Sequence, residues 1–249
     1  MTAQPKYRRV LLKISGEAMA KRGSSGIDGE RLRRLAEEVK TVVEAGVQVC
    51  LVVGGGNLIR GSRIVQDTLI EEATGHYMGM LATVINSLAV QDTLEAIGVP
   101  TRVQSALAID RVCEPFIRRR AVRHLEKGRV VIFAAGTGNP FVTTDTGGAM
   151  RAAELRADAL LKVTKVDGVY TADPTTHPEA TRIDDITYEE FIDRRLKIMD
   201  VAAVDLCQRS GIPILVFDLE RRGNMRAVVE GQRVGTRIGT VPGGHPSPV

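Results

Sequence analysis

The chain has 249 residues, of which 43% are hydrophobic and only 4% aromatic, and its formal net charge at pH 7 is +4. This composition predicts a globular protein with a core of Val, Leu, Ile and Ala, and the small excess of positive charge does not favour a nucleic-acid-binding protein. No apolar stretch of about 18 residues is present, so no membrane-spanning segment is expected.

Residues 1–9 contain no apolar core of signal-peptide length. The three cysteines, Cys50, Cys113 and Cys207, are an odd number at wide spacings without a CxxC pair. They are interpreted as reduced core residues, which predicts a soluble cytoplasmic protein. The densest basic cluster, Arg118–Arg120 with Arg123, has no aromatic residues interleaved and is interpreted as the solvated face of a helix rather than a nucleic-acid patch.

Apolar strands alternate with helical segments along the chain. Strands are predicted at about 9–14, 47–53, 101–104, 129–134, 159–163 and 213–217. Helices are predicted from Asp28 to Gly46, after Gly56, and over 76–97, 145–155, 188–193, 200–209 and near Arg226. This alternation predicts an α/β fold, a mostly parallel sheet covered by helices on both faces.

Without an internal repeat or a long linker, one domain is expected over residues 1–240. Residues 241–249 are rich in Pro and Gly and are predicted to be a disordered tail. In the long helix, Gly75 and Gly79 permit close packing, and the methionines that follow indicate core or subunit-interface packing.

Three predicted strands end in glycine-rich loops, at Ser15-Gly16, Gly54–Asn57 and Gly136–Asp145. Backbone N–H groups at such strand ends, together with a following helix N-terminus, are typical of phosphate sites. Three loops of this kind predict a protein that holds more than one phosphate at once.

Several familiar sites are excluded. No Gly-Lys dipeptide occurs, so a Walker A loop is impossible, and Phe141 and Ile59 stand where a dinucleotide-binding turn needs its third glycine. HExxH and EF-hand patterns are absent and the four histidines are scattered, so no metal site built from protein ligands alone is expected.

Cationic and polar residues accompany the glycine loops. Lys13 precedes the first loop, Arg60 follows the second, and Thr143-Thr144-Asp145 caps the helix after the third. Alone, each could be an ordinary surface or capping residue. In the segment 162–174, Asp167-Gly168 is a turn signal, and a plain hairpin with a packed Tyr170 is the simpler interpretation of that segment by itself.

Taken together, six motifs resemble those of the bacterial uridylate kinases of the amino-acid-kinase superfamily, and the resemblance covers nearly the whole chain. The motifs occupy residues 12–17, 53–61, 77–83, 135–145, 164–174 and 196–200. The resemblance implies a three-layer α/β/α sandwich, phosphoryl transfer from Mg-ATP to UMP in pyrimidine nucleotide biosynthesis, and a homohexamer. It also implies activation by GTP and inhibition by UTP.

The resemblance also assigns residues to the two substrates. On the ATP side these are Lys13, Ile14, Ser15, Gly16, Gly56, Arg60, Thr164, Tyr170 and Asp173. On the UMP side they are Gly55, His76, Thr137, Gly138, Asn139, Pro140, Phe141, Val142, Thr143 and Thr144. The residues implied in catalysis are Lys13, Arg60 and Asp145.

One position departs from the family pattern, because His76 stands where an Asp commonly holds the ribose of the acceptor. A neutral imidazole can still hydrogen-bond a hydroxyl, without the strength that a carboxylate gives.

The implied nucleophile, a phosphate oxygen of UMP, is ionised at pH 7, so no general base is required. Asp145 is therefore interpreted as the orienting partner of Lys13, with Lys165 as a second cationic candidate, and Mg²⁺ is expected to be held mainly by ATP and water. Two alternatives stay open at this point. One is a kinase of the same superfamily that acts on a carboxylate, a carbamate or isopentenyl phosphate, and the other is a non-catalytic nucleotide-binding or oxyanion-storage protein.

Overall fold

A computed structural model describes residues 4–21, 23–59, 68–219 and 221–240. The strands are β1 (Arg9–Ile14), β2 (Gln48–Val53), β3 (Thr101–Ser105), β4 (Glu114–Pro115), β5 (Val130–Ala134), β6 (Ala159–Thr164), β7 (Val169–Tyr170), β8 (Arg182–Ile183), β9 (Asp185–Ile186), β10 (Ile214–Asp218) and β11 (Thr236–Ile238). The helices are α1 (Gly29–Glu44), α2 (Glu72–Ala96), α3 (Arg118–Glu126), α4 (Thr144–Glu154), α5 (Tyr188–Asp193), α6 (Val201–Arg209) and α7 (Asn224–Val229), with a short 3-10 helix at Gly16–Met19.

One nine-stranded sheet runs through the molecule in the order β4-β3-β5-β2-β1-β6-β10-β11-β9. All pairings from β4 to β10 are parallel, and β11 runs antiparallel to β10. β1 lies at the centre of the sheet, with β2, β5, β3 and β4 on one side of it and β6, β10, β11 and β9 on the other. In open α/β sheets such a reversal creates a crevice at the carboxyl ends of the strands.

Apolar side chains alternate between the two faces of the central strands. On β1, Leu12 belongs to an apolar cluster that includes α1, α2 and α7, whereas Leu11 belongs to a second cluster that includes α3, α4, α5 and α6. Both leucines are fully buried. The predicted mostly parallel sheet with helices on both faces is confirmed, as a three-layer arrangement.

The boundaries of the elements differ from prediction mainly at glycines. The helix α2 begins at Glu72, one turn before the predicted start at His76, because Gly75 lies inside the helix and its N–H bonds the carbonyl of Glu71. The helix expected after Gly56 falls mostly on residues 60–67, outside the described part of the chain, and residues 56–58 form a turn.

The hairpin interpretation of residues 162–174 is wrong. β7 pairs in antiparallel fashion with β8, not with β6, and these two short strands form a separate sheet. Thr236 on β11 fixes this sheet, because its hydroxyl accepts from Val169 N at 2.7 Å and donates to Ile183 O. The chain bends at residues 165–168, but the bend does not pair β7 with β6, because Thr236 of β11 holds β7 and β8 together.

Among the residues that the structure describes, no helix combines the length and the apolarity needed to cross a membrane. The predicted disordered tail, residues 241–249, lies outside them. Cys50 and Cys207 are buried and Cys113 is partly buried, all as free thiols. Burial raises the pKa of Cys50 and of Cys207 to about 12, so both stay protonated at neutral pH.

Candidate functional site

The candidate site lies where four parallel strands end at the same edge of the sheet. β1 is followed by Ser15-Gly16, β2 by Gly54–Asn57, and β5 by the segment 135–143 that leads into α4. β6 ends at Thr164 beside them. Since the strands are parallel and adjacent, loops far apart in sequence meet at one crevice.

A lysine–aspartate–lysine cluster occupies the base of this crevice. Lys13 on β1 and Lys162 on β6 are register partners on neighbouring strands. Asp145, in the first turn of α4, has its Oδ1 2.5 Å from Lys13 Nζ, and Lys162 Nζ donates to its two oxygens at 2.6 and 2.5 Å. The lysine side chains are 9% and 8% exposed and that of Asp145 14%, so water screens the cluster weakly.

The cluster carries an excess positive charge, because two ammonium groups share one carboxylate. Burial disfavours ionisation of Asp145, but the charges and hydrogen bonds of Lys13 and Lys162 outweigh it and hold the pKa of this carboxyl below its usual range. Burial, together with the nearby charge of Lys13, lowers the pKa of Lys162 from 10.5 to about 8, against the opposing pull of Asp145. This buried positive charge is suited to a polyanion such as a phosphate chain.

Lys162 is the residue that the sequence analysis missed, although a signal was present. The segment Leu160-Leu161-Lys162-Val163-Thr164 repeats the pattern of Leu11-Leu12-Lys13-Ile14-Ser15. A lysine inside an apolar strand is uncommon, and two with the same surroundings predict neighbouring strands with their ammonium groups side by side. Lys165, the weaker cationic candidate, is 70% exposed and pairs with Glu17, and both residues line the cavity of about 990 Å³ described below.

The titration of Lys162 leads to a prediction for the pH profile. Lys162 is positively charged below pH 8 and loses its charge as pH rises through a pKa of about 8. A phosphate monoester, with a second pKa of about 6, is already fully ionised above pH 7 and adds no further change. We therefore expect kcat/KM for Mg-ATP to fall as pH rises above about 8, measured by steady-state kinetics in constant ionic strength. A flat profile between pH 7 and pH 9.5 would show that the charge of Lys162 is not needed.

The first two glycine loops touch each other through their backbones. A Cβ atom on Gly16 would lie 2.7 Å from Gly54 O and 2.8 Å from Gly56 N, and one on Gly55 would lie 2.7 Å from Gly79 O in α2. No side chain fits at either position. A Cβ atom on Gly56, by contrast, would have no heavy atom within 4 Å, so space beside its backbone is open to a ligand.

The third loop has an unusual backbone. Ala135, Gly136, Gly138 and Phe141 all have positive φ, at 60°, 54°, 80° and 67°. For the non-glycine residues this conformation is strained. Within the loop, Gly138 N donates to Ala135 O at 2.9 Å and Asn139 N donates to the hydroxyl of Thr137 at 3.2 Å. Thr143 then caps α4 by accepting from Asp145 N and Thr146 N at 3.1 and 3.2 Å.

His76 approaches this loop from α2. Its ring lies 4.9 Å from the ring of Phe141, between centroids, and its Nε2 lies 3.8 Å from Glu72 Oε1. Phe141 is 66% exposed at the tip of the loop. The structure thus places His76 beside the predicted acceptor loop.

The motif 196–200, to which the sequence assigned no role, lies beside Asp145. A cavity of about 610 Å³ is lined by Asp145 together with Leu196, Lys197 and Met199. Asp200 accepts from the hydroxyl of Thr146 at 2.9 Å and, through its other oxygen, from that of Thr143. The motif therefore fixes the start of α4, on which Asp145 is carried.

A larger cavity of about 990 Å³ is lined by Ser15, Gly56 and Thr164, three of the residues that the resemblance assigns to ATP. Tyr170 and Asp173 are outside its lining. The hydroxyl of Tyr170 donates to Asp167 at 2.7 Å, which lowers the pKa of that carboxyl. Asp173 accepts from Thr175 N at 2.9 Å and begins a turn.

Most of the predicted site residues are gathered at this edge of the sheet. Arg60 lies outside the described part of the chain, so its predicted place stays untested. The roles of the other residues also stay predictions, whereas their positions are now fixed.

The model of the amino acid kinase family matches residues 8–218. The chain belongs to this family. A uridylate kinase of Methylococcus capsulatus is 53% identical over 237 residues, which is 95% of this chain and 99% of that protein.

Solved structures agree with this assignment to the amino acid kinase family. A UMP kinase from Bacillus anthracis superposes with a TM-score of 0.91 at 37% identity, covering 94% of this chain and 96% of that one. A UMP kinase from Ureaplasma parvum gives 0.87 at 34% identity, covering 94% and 100%. The resemblance to bacterial uridylate kinases and the predicted amino-acid-kinase fold are confirmed.

Proposed function

We propose that this chain is an enzyme that transfers the γ-phosphoryl group of ATP to UMP and so produces ADP and UDP. The observation that carries the proposal is the buried cluster of Lys13, Asp145 and Lys162 at the meeting point of the glycine loops. The uridylate and UMP kinases to which the chain is similar over nearly its whole length support the choice of acceptor.

In this proposal, the reaction needs charge neutralisation more than proton transfer. A phosphate oxygen of UMP attacks the γ-phosphorus, the bond to the β-phosphate bridging oxygen breaks, and ADP leaves with the electron pair. Lys13 and Lys162 stabilise the negative charge on the transferred group and on the leaving oxygen. Asp145 has both oxygens engaged by ammonium groups at 2.5 to 2.6 Å, so it orients the lysines and does not act as a base.

We assign the donor to the side of β1 and β6, where the 990 Å³ cavity lies. We assign the acceptor to the third loop and its neighbours, with the phosphate of UMP against the backbone N–H groups of Gly136, Thr137 and residues 141–144, and its ribose beside His76. In this arrangement the attacking oxygen of UMP and the γ-phosphate of ATP meet over the lysine cluster, as a direct transfer requires.

The described residues also fit Mg²⁺ that arrives with ATP. No group of three or more acidic, His or Cys side chains among them could hold a metal ion, and the oxygens of Asp145 and Asp200 are taken by protein donors. Mg²⁺ would therefore be held mainly by phosphate oxygens and water, where it neutralises charge on the triphosphate.

A panel of acceptors tests the proposed function. ADP release is measured with UMP, CMP, dUMP and TMP at saturating Mg-ATP, and with an amino acid, carbamate and isopentenyl phosphate. We expect UMP to give the highest kcat/KM. Preference for a carboxylate, carbamate or isopentenyl phosphate would contradict the proposal, and binding of ATP and UMP without turnover would indicate a storage or binding protein.

We also propose that the protein is a homo-oligomer, a hexamer as the family resemblance implies. The support is an apolar stripe on α2: Tyr77, Leu81 and Ile85 stand four residues apart and are 43%, 49% and 52% exposed. Residues at this spacing share one face of a helix. An exposed apolar face in the middle of the longest helix is suited to packing against the same face of a second copy.

Replacing Leu81 by Asp is expected to dissociate the assembly into smaller species, because a charge would be buried at a helix–helix contact. The measurement is the native mass by light scattering at several protein concentrations. Ile27→Asp is the control, since Ile27 is also an exposed aliphatic residue but lies outside α2. If Leu81→Asp has the same mass as the unmodified protein, the stripe is not the interface.

A cytoplasmic location and regulation by GTP and UTP belong to the proposal as well. The free, buried cysteines support a reducing compartment. Addition of GTP or UTP to the UMP kinase assay, at fixed Mg²⁺, tests for activation by the first and inhibition by the second.

A further inference from the structure

The turn of α2 from Thr83 to Asn86 connects the helix to two of the three glycine loops. Thr83 is 3% exposed, and its hydroxyl accepts from Ala135 N at 2.8 Å while it donates to Met80 O at 2.6 Å. Asn86 is fully buried and donates to Gly54 O at 2.7 Å. A single helical turn thus fixes the residues that begin the second and third loops.

The bond to Ala135 matters because the loop is strained at that residue. Ala135 has a φ of 60°, a left-handed conformation that is strained for an alanine. Its carbonyl accepts from Gly138 N at 2.9 Å, so the same residue also closes the turn over Gly136. Without a partner, the buried N–H of Ala135 would favour a rearrangement of the backbone.

We propose that Thr83 is a positioning residue for the acceptor: its hydroxyl holds Ala135 in the left-handed conformation that points the N–H groups of Gly136 and Thr137 at the acceptor phosphate. The inference rests on the proposed function. Thr83 touches neither nucleotide in this arrangement and acts through the loop. Its replacement should therefore change acceptor binding and leave donor binding nearly unaffected.

The test compares Thr83→Val, which keeps the shape and removes the hydroxyl, with Thr83→Ser, which keeps the hydroxyl. Thr93→Val is the matched control, because Thr93 lies on the same helix and its hydroxyl donates to Ala89 O of that helix at 2.7 Å, not to a loop. We expect Thr83→Val to raise KM for UMP about tenfold, the worth of one buried hydrogen bond, with KM for ATP changed less than twofold. Thr83→Ser and Thr93→Val should stay within about twofold of the unmodified protein on both constants.

A second measurement separates positioning from general destabilisation. Amide hydrogen exchange at Ala135 should become faster in Thr83→Val and stay unchanged in Thr93→Val. The inference would be overturned if Thr83→Val raised the KM values for UMP and ATP equally. It would also be overturned if the KM for UMP and the exchange rate of Thr83→Val matched those of Thr93→Val. If the unmodified protein fails to phosphorylate UMP, the proposed function is wrong, and the exchange rate still decides whether Thr83 holds the loop.

Discussion

Asp145→Asn is expected to lower kcat by about a hundredfold at saturating Mg-ATP and UMP, in the range seen when one preorganised electrostatic group is removed. The amide keeps the shape of the carboxylate but not its charge. Lys13 and Lys162 would then face each other without the anion that now lies 2.5 Å from each of them. Repulsion between the two ammonium groups would turn them away from the position of the transferred phosphoryl group.

The control for Asp145→Asn is Asp158→Asn. Asp158 accepts from the backbone N–H groups of Arg8 and Arg9 at the opposite end of β1, so it offers the same loss of charge away from the crevice. Steady-state kinetics on both variants, with thermal unfolding to verify the fold, provide the comparison. A loss in Asp145→Asn of less than tenfold would show that the orienting role is wrong.

Lys162→Met is the second large effect that we expect, with kcat lowered about a hundredfold and KM for UMP changed less than threefold. The reason is that Lys162 would act on charge in the transferred group, not on the binding of the acceptor. Steady-state kinetics measure this split, and Lys40→Met is the control, since Lys40 lies on α1 and bonds Ile97 O at 3.0 Å. An unchanged kcat would remove Lys162 from the catalytic cluster.

The same variant should be no less stable than the unmodified protein. Burial lowers the pKa of Lys162 from 10.5 to about 8. Lys162 is still charged at pH 7, but keeping that charge costs the folded state free energy relative to the unfolded state. Methionine is apolar and of similar length, so it suits the interior of β6. Chemical denaturation at pH 7 should give an equal or higher free energy of unfolding. A loss of activity with no loss of stability would separate a catalytic role from a structural one.

Asp200 lies in one of the six motifs, but the sequence does not indicate which residues its side chain contacts. In the structure Asp200 is the N-cap of α6, since its side chain accepts from Ala203 N at 2.8 Å. Its bonds to Thr143 and Thr146 cross more than fifty residues. No local pattern reports such a contact, because α4 and α6 are brought together by packing on the sheet.

The family resemblance implied the pairing of Lys13 with Asp145, whereas the sequence by itself determined the alternation of the main strands and helices and the three glycine loops. These follow from the period of apolar residues and from backbone conformations that only certain residues adopt. The tertiary structure decided which strands are neighbours. As a result of that arrangement, Lys162 lies beside Lys13, β7 pairs with β8, and the hydroxyl of Thr83 accepts from Ala135 N. The physical reason is that the period of a strand fixes which face a side chain occupies, whereas its partner across the sheet depends on the packing of the whole chain.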